Sequence, residues 1–174
     1  MQPSAHPPSP VRILLAEDDP DQQDLLTRVL TRGRPHVKVD LVASASELDR
    51  SVRAATYDCI VLDYNLPDRT ADEAIRSSRD FLGQTPVVVV SSSLDQDVVL
   101  RSARAGGVDF VKKTDAMRSD ELWERVTHAI NESIARLDRK IAARLRLESK
   151  DREIAKLRRA QGQSPTEGGA DAGS

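Results

Sequence analysis

The sequence has few aromatic residues and no long hydrophobic run. Only 3% of its 174 residues are Phe, Trp or Tyr, which argues against a surface that stacks nucleic-acid bases. No segment approaches the ~20 apolar residues of a membrane-spanning helix. The first ten residues include four prolines and no apolar segment, so they do not form a signal peptide. These absences predict a soluble, cytoplasmic protein.

Cysteine is almost absent as well. The single cysteine, Cys59, excludes an internal disulfide and fits a reducing compartment. Because Cys59 lies in a short apolar run, we expect a buried structural thiol rather than a reactive one.

The chain as a whole has little excess of either charge sign, but one segment of it has a clear excess. The net charge is −2, which gives the whole chain no nucleic-acid or membrane signature. Residues 136–159, however, contain ten basic and four acidic side chains, so this segment carries about +6 and the remainder about −8. The basic segment is therefore the part of the chain to consider for an acidic partner.

Short apolar segments rich in β-branched residues alternate with helical patterns. Continuous apolar character predicts strands that are covered on both faces, joined by right-handed crossovers into a parallel sheet with helices on each side. The predicted strands are Val11–Ala16, Val37–Val42, Cys59–Asp63, Val87–Val90 and Val108–Lys112.

Capping residues predict where the helices begin. The predicted helices run from Asp19–Pro20 to about Arg32, from the capping box of Ser44 and Glu47 to about Ala55, from Ala71 to Phe81, from a capping box of Ser93 and Gln96 to Ala105, and from about Ser119 to about Ala160.

Polar side chains lie at the ends of four predicted strands, namely Glu17 with Asp18, Asp63, Ser91 and Lys113. Parallel strands end at one edge of a sheet, so these side chains should surround one crevice. Crowded carboxylates repel each other, and Mg²⁺, which prefers oxygen ligands, would relieve that repulsion. A lysine and a hydroxyl would remain to bind phosphoryl oxygens. The pattern thus favours attack of the Asp63 carboxylate on phosphorus, giving an aspartyl phosphate.

Ordinary structural explanations stay open for each of these residues. Asp63 could end its strand and cap a turn, Ser91 could be only a strand terminus, and Lys113 could be a solvated strand end.

Four motifs carry a resemblance to a known family. They are Glu17-Asp18, Asp63-Tyr64-Asn65-Leu66-Pro67, Val87 to Ser92, and Gly106 to Lys113. Because all four motifs occur in this order, the sequence resembles the receiver domain of two-component response regulators over roughly Val11 to Asn131. The resemblance implies the flavodoxin-like, CheY-like fold, a five-stranded parallel sheet in the order 2-1-3-4-5 with helices on both faces.

The resemblance also implies roles for individual residues. It makes Asp63 the phosphoacceptor, Asp18 the Mg²⁺ carboxylate supported by Glu17, the Asn65 main-chain carbonyl a further metal ligand, Ser91 the switch hydroxyl, Lys113 the phosphate-binding lysine and Phe110 the switch aromatic. Asp18 is preferred to Asp19 as ligand, because Asp19 is better placed to cap the next helix. Phe110 could also be plain core.

Three positions depart from the family pattern. Ala71 stands where the family usually has Gly, so the loop must avoid a left-handed backbone there. Thr114 stands where Pro usually follows the lysine, so we expect a trans peptide after Lys113. Phe110 lacks the hydroxyl of the Tyr found in many relatives.

The predicted organisation is a disordered leader (1–10), a receiver domain (11–133), a helical extension (134–160) and a disordered tail (161–174). Apolar residues Ile130, Ile134, Leu137 and Ile141 are spaced four, three and four apart, as in a coiled coil. The register breaks after Ile141. We therefore expect a homodimer through a short zipper, the alternative being a single solvated helix that frays.

Three functions are compatible with these features. The first is a non-enzymatic phosphoacceptor that a histidine kinase or phosphotransfer protein phosphorylates, with output through dimerisation or protein–protein contacts of the last helix. The second is a nucleic-acid regulator using the basic helix Arg136–Arg159, which its interspersed acids disfavour. The third is an aspartate-nucleophile phosphatase of the haloacid dehalogenase type, whose Asp-x-Asp-x-Thr signature is not met at Asp63.

Overall fold

Five buried strands form the centre of the fold. The computed structural model describes residues 10–93, 95–107 and 109–160. The predicted leader up to residue 9, the tail 161–174 and Val108, the predicted start of the last strand, lie outside them. The strands are β1 (Val11–Ala16), β2 (Val37–Val42), β3 (Cys59–Asp63), β4 (Val87–Ser91) and β5 (Asp109–Lys112). The helices are α1 (Pro20–Thr31), α2 (Ala45–Ala54), α3 (Ala71–Leu82), α4 (Gln96–Ala105), α5 (Lys113–Arg118) and α6 (Glu121–Ala160).

The sheet is parallel, with strand order β2-β1-β3-β4-β5. Both the order and the α/β fold class are as predicted. Alternate residues of a strand point to opposite faces. In β3, Ile60 and Leu62 accordingly pack with α2, α3 and α4, whereas Cys59 and Val61 pack with α1, α5 and the beginning of α6. Helices on both faces explain why the strand sequences are apolar throughout.

Side-chain caps fix the beginnings of the helices. The Asp19 carboxylate accepts hydrogen bonds from the N–H groups of Asp21 and Gln22, and Pro20 is the first residue of α1, as predicted. The Ser44 hydroxyl caps α2 through the Glu47 N–H. A capping box of Thr70 and Glu73 opens α3, and we did not predict it.

The predicted capping box of Ser93 and Gln96 is wrong. The N-cap of α4 is Asp95, whose carboxylate accepts a hydrogen bond from the Val98 N–H at 2.9 Å. Gln96 is the first residue of the helix and therefore cannot supply the reciprocal bond of a residue three positions after the cap. The Ser93 N–H instead donates to the Ser91 hydroxyl.

The chain after β5 also differs from our prediction. Lys113 begins a short helix, α5, that we did not predict, and α6 starts at Glu121, close to the predicted Ser119. The break falls at Ser119, whose backbone is extended. The Ser119 hydroxyl donates to the Asp115 carbonyl of α5 and accepts from the Glu121 N–H of α6, so one side chain ends one helix and starts the next.

Helix α6 continues to Ala160, where we predicted its end. The chain divides into two compact units, one up to Ala135 and the other from Arg136. In the first unit, Leu122 and Val126 of α6 are fully buried. In the second, the side chains up to Arg159 are exposed, apart from half-buried Glu148. The boundary between receiver and extension stays a prediction. Within the described residues, no helix combines the length and apolarity needed to cross a membrane.

The turn between β3 and α3 is tied to α2 by Asp68. Its carboxylate accepts hydrogen bonds from the N–H groups of Ala45 and Ser46, each at 2.9 Å, and from the Ser46 hydroxyl at 2.7 Å. These amides belong to the first turn of a helix and have no partner inside it. Although burial opposes ionisation, these hydrogen bonds lower the pKa of Asp68 to about 2.

Asp68→Asn is expected to lower the free energy of unfolding by about 1 kcal/mol near neutral pH. The side chain is 31% exposed, so solvent screening keeps the loss below what the full pKa shift would give. Because the folded pKa lies below the unfolded value, the stabilisation exists above about pH 4 and disappears as pH falls toward about 2. Urea unfolding across this range should show the two proteins converging. Equal stability near neutral pH would contradict the role of Asp68, and Asp80→Asn, at an exposed position of α3, is the control.

Candidate functional site

Three carboxylates meet where β1 and β3 end. Glu17 and Asp18 follow β1, and Asp63 is the last residue of β3. One carboxylate oxygen from each lies within 4.8 Å of the others. Glu17 and Asp63 are buried, whereas Asp18 is exposed. The cluster therefore has a protein-facing side and a side open to solvent.

Lys113 joins the cluster from the beginning of α5. Its Nζ donates to Asp63 Oδ2 at 2.8 Å and forms an ion pair with Glu17 Oε2 at 2.9 Å. The lysine side chain is only 12% exposed. Since α5 starts at Lys113, the end of β5 and the first turn of this helix together determine where the ammonium group lies.

Burial sets the electrostatics of the cluster. Desolvation raises the pKa of Asp63, Lys113 opposes this rise, and the Asp18 charge adds to it. Desolvation also raises the pKa of Glu17, again opposed by Lys113. For Lys113, burial alone would lower the pKa, but the bonds to Asp63 and Glu17 outweigh it and the pKa is raised.

The donor set fits a divalent cation. With all groups ionised, three carboxylates and one ammonium leave a net charge of about −2. Mg²⁺ binds oxygen ligands and usually keeps several water molecules. The carboxylates could supply the protein ligands, and the side open to solvent leaves room for the waters. Asp18, Asp63 and the Asn65 carbonyl are the candidate ligands, with Glu17 supporting them.

The other predicted site residues lie around this cluster. The Asn65 main chain hydrogen-bonds to the Asp63 carboxylate, and the Asn65 side chain is exposed. Ser91 is the buried last residue of β4, one position beyond Val90, which pairs with Asp63. Phe110 is half-buried in β5 and packs against the core on the α2–α4 side. The switch roles of Ser91 and Phe110 stay predictions.

Two side-chain contacts, one made with Glu17 and one with Tyr64, the residue after Asp63, were not found from the sequence. The Gln23 side chain donates to the Glu17 carbonyl, which fixes the acidic segment after β1 against α1. The buried Asp72 carboxylate accepts a hydrogen bond from the Tyr64 hydroxyl at 3.4 Å and pairs with Arg76. The four-residue spacing of Asp72 and Arg76 was visible in the sequence, but nothing local indicated that Asp72 is buried.

Comparison with known proteins identifies the family. The response regulator receiver domain matches residues 13–127. The chain belongs to the response regulator receiver family. Receiver domains are signalling domains of two-component systems, and they bind Mg²⁺ at an acidic pocket.

Among curated proteins, the chain is 27% identical over 159 residues to a protein-glutamate methylesterase/protein-glutamine glutaminase 1 of Xanthomonas euvesicatoria pv. vesicatoria, covering 84% of this chain and 43% of that protein. It is 29% identical over 121 residues to the cell cycle transcriptional regulator CtrA of Caulobacter vibrioides, covering 69% of this chain and 50% of CtrA. The chain thus spans about half the length of these relatives or less.

Solved receiver structures share the fold. A CheY-like receiver domain protein from Methanospirillum hungatei superposes with a TM-score of 0.66 at 20% identity, covering 74% of this chain and 99% of that one. The response regulator domain of Thermotoga maritima CheB gives a TM-score of 0.61 at 23% identity, with 70% and 96% covered. At these identities the likeness concerns the fold alone.

The receiver accommodates two departures from the family pattern. Ala71 is the first residue of α3. The backbone there is helical, so the position does not require glycine. The peptide between Lys113 and Thr114 is trans, as predicted, and Thr114 continues α5.

Proposed function

We propose that this receiver is the phosphoacceptor of a two-component or phosphorelay system, phosphorylated on Asp63 by a histidine kinase or phosphotransfer protein with Mg²⁺. One observation carries the proposal: Asp63, Glu17, Asp18 and Lys113 converge from three separate strand ends. Nucleophile, metal carboxylates and a cation for the phosphate are the parts that phosphoryl transfer to a carboxylate needs.

We expect each side chain of the site to take one part in the reaction. Asp63 Oδ attacks phosphorus, a new P–O bond forms, and the bond from phosphorus to the donor's leaving atom breaks with its electron pair. Lys113 shifts from the carboxylates to a phosphoryl oxygen, and the Ser91 hydroxyl donates to another. Mg²⁺ held by Asp18, Asp63 and the Asn65 carbonyl would supply neutralisation of the phosphoryl charge. The chain is then a signalling phosphoacceptor, not an enzyme with a separate substrate.

The extension of α6 is the proposed output element. Ile134, Leu137 and Ile141 are 54%, 44% and 50% exposed, while Ile130 is half-buried against the receiver core. A helix with such a stripe gains stability when a partner covers it. We propose that the stripe forms a homodimer and that phosphorylation changes its geometry or its protein partners.

Nucleic-acid binding by the basic helix is the weaker alternative. Glu148 pairs with Arg144 at 3.1 Å and with Arg152 at 3.9 Å, so acids on the helix neutralise part of its positive charge. CtrA is a transcriptional regulator, but this chain covers only half of it. Steep salt dependence of binding would be the sign of this function.

The test is incubation of the full chain with acetyl phosphate. With Mg²⁺ we expect the intact mass to increase by one phosphoryl group, and hydroxylamine should remove the label as it does from acyl phosphates. Chelation of Mg²⁺ should prevent incorporation, because the crowded carboxylates would then repel the phosphate. No incorporation at any Mg²⁺ concentration, or incorporation that ignores chelation, would contradict the proposal.

A further inference from the structure

The segment that follows the phosphoacceptor, residues 65–70, forms a closed turn that we name the acceptor turn. Asn65 and Thr70 pair across it as an antiparallel bridge. The Leu66 N–H donates to the Arg69 carbonyl at 3.2 Å, and the Ala71 N–H donates to the Tyr64 carbonyl at 2.8 Å. Leu66 is buried. The turn therefore has a defined shape, and the carbonyl of Asn65, a candidate metal ligand, belongs to it.

Two consecutive side chains attach this turn to neighbouring helices. Asp68 binds the first amides of α2, as described above. Arg69 reaches Asp49 of α2 at 2.7 Å and the Ser77 hydroxyl of α3 at 2.7 Å. Both partners in the Arg69–Asp49 pair are largely shielded, being 25% and 21% exposed. The turn is thus held from outside as well as by its own hydrogen bonds.

We propose that Asp68 and Arg69 are positioning residues for the metal site: they fix the acceptor turn so that the Asn65 carbonyl and the Asp63 carboxylate face one cation together. This inference rests on the proposed function. Groups behind metal ligands orient them, and their loss typically weakens metal binding without removing a ligand. Within the part of the chain that the structure describes, the side chains of Asp68 and Arg69 bind α2 and α3 and not the carboxylate cluster or Lys113. Any effect of these residues on Mg²⁺ affinity must therefore act through the turn.

The experiment compares Asp68→Ala with the unaltered full chain. We expect the Mg²⁺ concentration for half-maximal phosphorylation by acetyl phosphate to rise about tenfold, with the rate at saturating Mg²⁺ little changed. Calorimetric titration with MgCl₂ should show the same weakening. Without metal, the amide protons of Leu66 and Ala71 should exchange faster, because the turn has lost its anchor. Asp68→Asn keeps one oxygen acceptor, so its Mg²⁺ midpoint should lie between those of Asp68→Ala and the unaltered chain.

The control is Asp40→Ala, which removes an exposed ion pair with Arg12 at 2.8 Å on β2 and leaves the acceptor turn intact. It should keep the Mg²⁺ midpoint of the unaltered chain. If Asp68→Ala does not fold, Arg69→Gln takes its place, with the same expected shift. Identical midpoints for the Asp68, Arg69 and Asp40 variants would overturn the inference while leaving the proposed function intact. Failure of the unaltered chain to bind Mg²⁺ or accept phosphate would overturn both.

Discussion

Replacement of Asp63 by Asn is expected to abolish phosphoryl incorporation from acetyl phosphate, a loss of at least about 10³-fold. The amide group has the shape of the carboxylate but lacks its nucleophilic oxygen anion. The amide oxygen can still accept the hydrogen bond that Lys113 now donates at 2.8 Å, so the variant should fold. Intact-mass spectrometry after incubation with acetyl phosphate and Mg²⁺ measures the effect.

Stability should respond differently from phosphorylation. Burial raises the pKa of Asp63 above its usual value, so the ionised carboxylate is less favourable in the folded chain than in the unfolded one. A carboxyl group with a raised pKa contributes stability below its unfolded pKa and loses it as pH rises through the folded value. Asp63→Asn, which stays neutral, should therefore be no less stable than the unaltered chain near neutral pH.

The matched control is Asp58→Asn. Asp58 directly precedes Cys59, the first residue of β3. The Asp58 carboxylate accepts a hydrogen bond from the Arg12 N–H at 2.8 Å and lies at the amino-terminal edge of the sheet. This variant should incorporate phosphate as the unaltered chain does. If Asp63→Asn retained a hydroxylamine-sensitive label, the phosphoacceptor would be another carboxylate, and trapping the label would identify it.

The strands and the predicted site were accessible from the sequence for one physical reason. A parallel strand that is covered on both faces must be apolar throughout, so the apolar segments ending at Asp63 and Ser91 stand out from the amphipathic helices. Parallel strands end at one edge, which predicts that their terminal polar residues converge. The strand order, by contrast, was implied only by the resemblance to receivers, since periodicity does not say which strands are neighbours.

The features that the sequence did not indicate depend on contacts between distant segments or on single backbone angles. Asp68 caps a helix that begins more than twenty residues earlier in the chain, and no local pattern announces such a partner. Ser119 interrupts a stretch whose composition favours helix on both sides. Asp95 and Ser93 are both good capping residues, and only the path of the chain after β4 decides between them.

Replacing both Leu137 and Ile141 by Ser is expected to convert a dimer of the full chain into a monomer. The two side chains are 44% and 50% exposed in the single chain, and each buried aliphatic side chain contributes about 1.5–3 kcal/mol. Since a symmetric dimer loses both residues from both helices, the expected loss exceeds what a short zipper supplies. Sedimentation equilibrium over a range of concentrations measures the molar mass.

A second pair of one leucine and one isoleucine on the same helix, Leu147 and Ile154, provides the control. At ~100° per residue, Leu147 and Ile154 lie about 120° and 140° around α6 from Ile141 and so fall outside the stripe. Their side chains are 62% and 47% exposed. Replacing both by Ser removes as much apolar surface and as much helix propensity, but leaves the stripe of Ile134, Leu137 and Ile141 complete. The dimer should persist in this control. A monomeric unaltered chain, or equal weakening by both pairs of substitutions, would mean that the stripe is a solvated helix face and that the receiver signals through another surface.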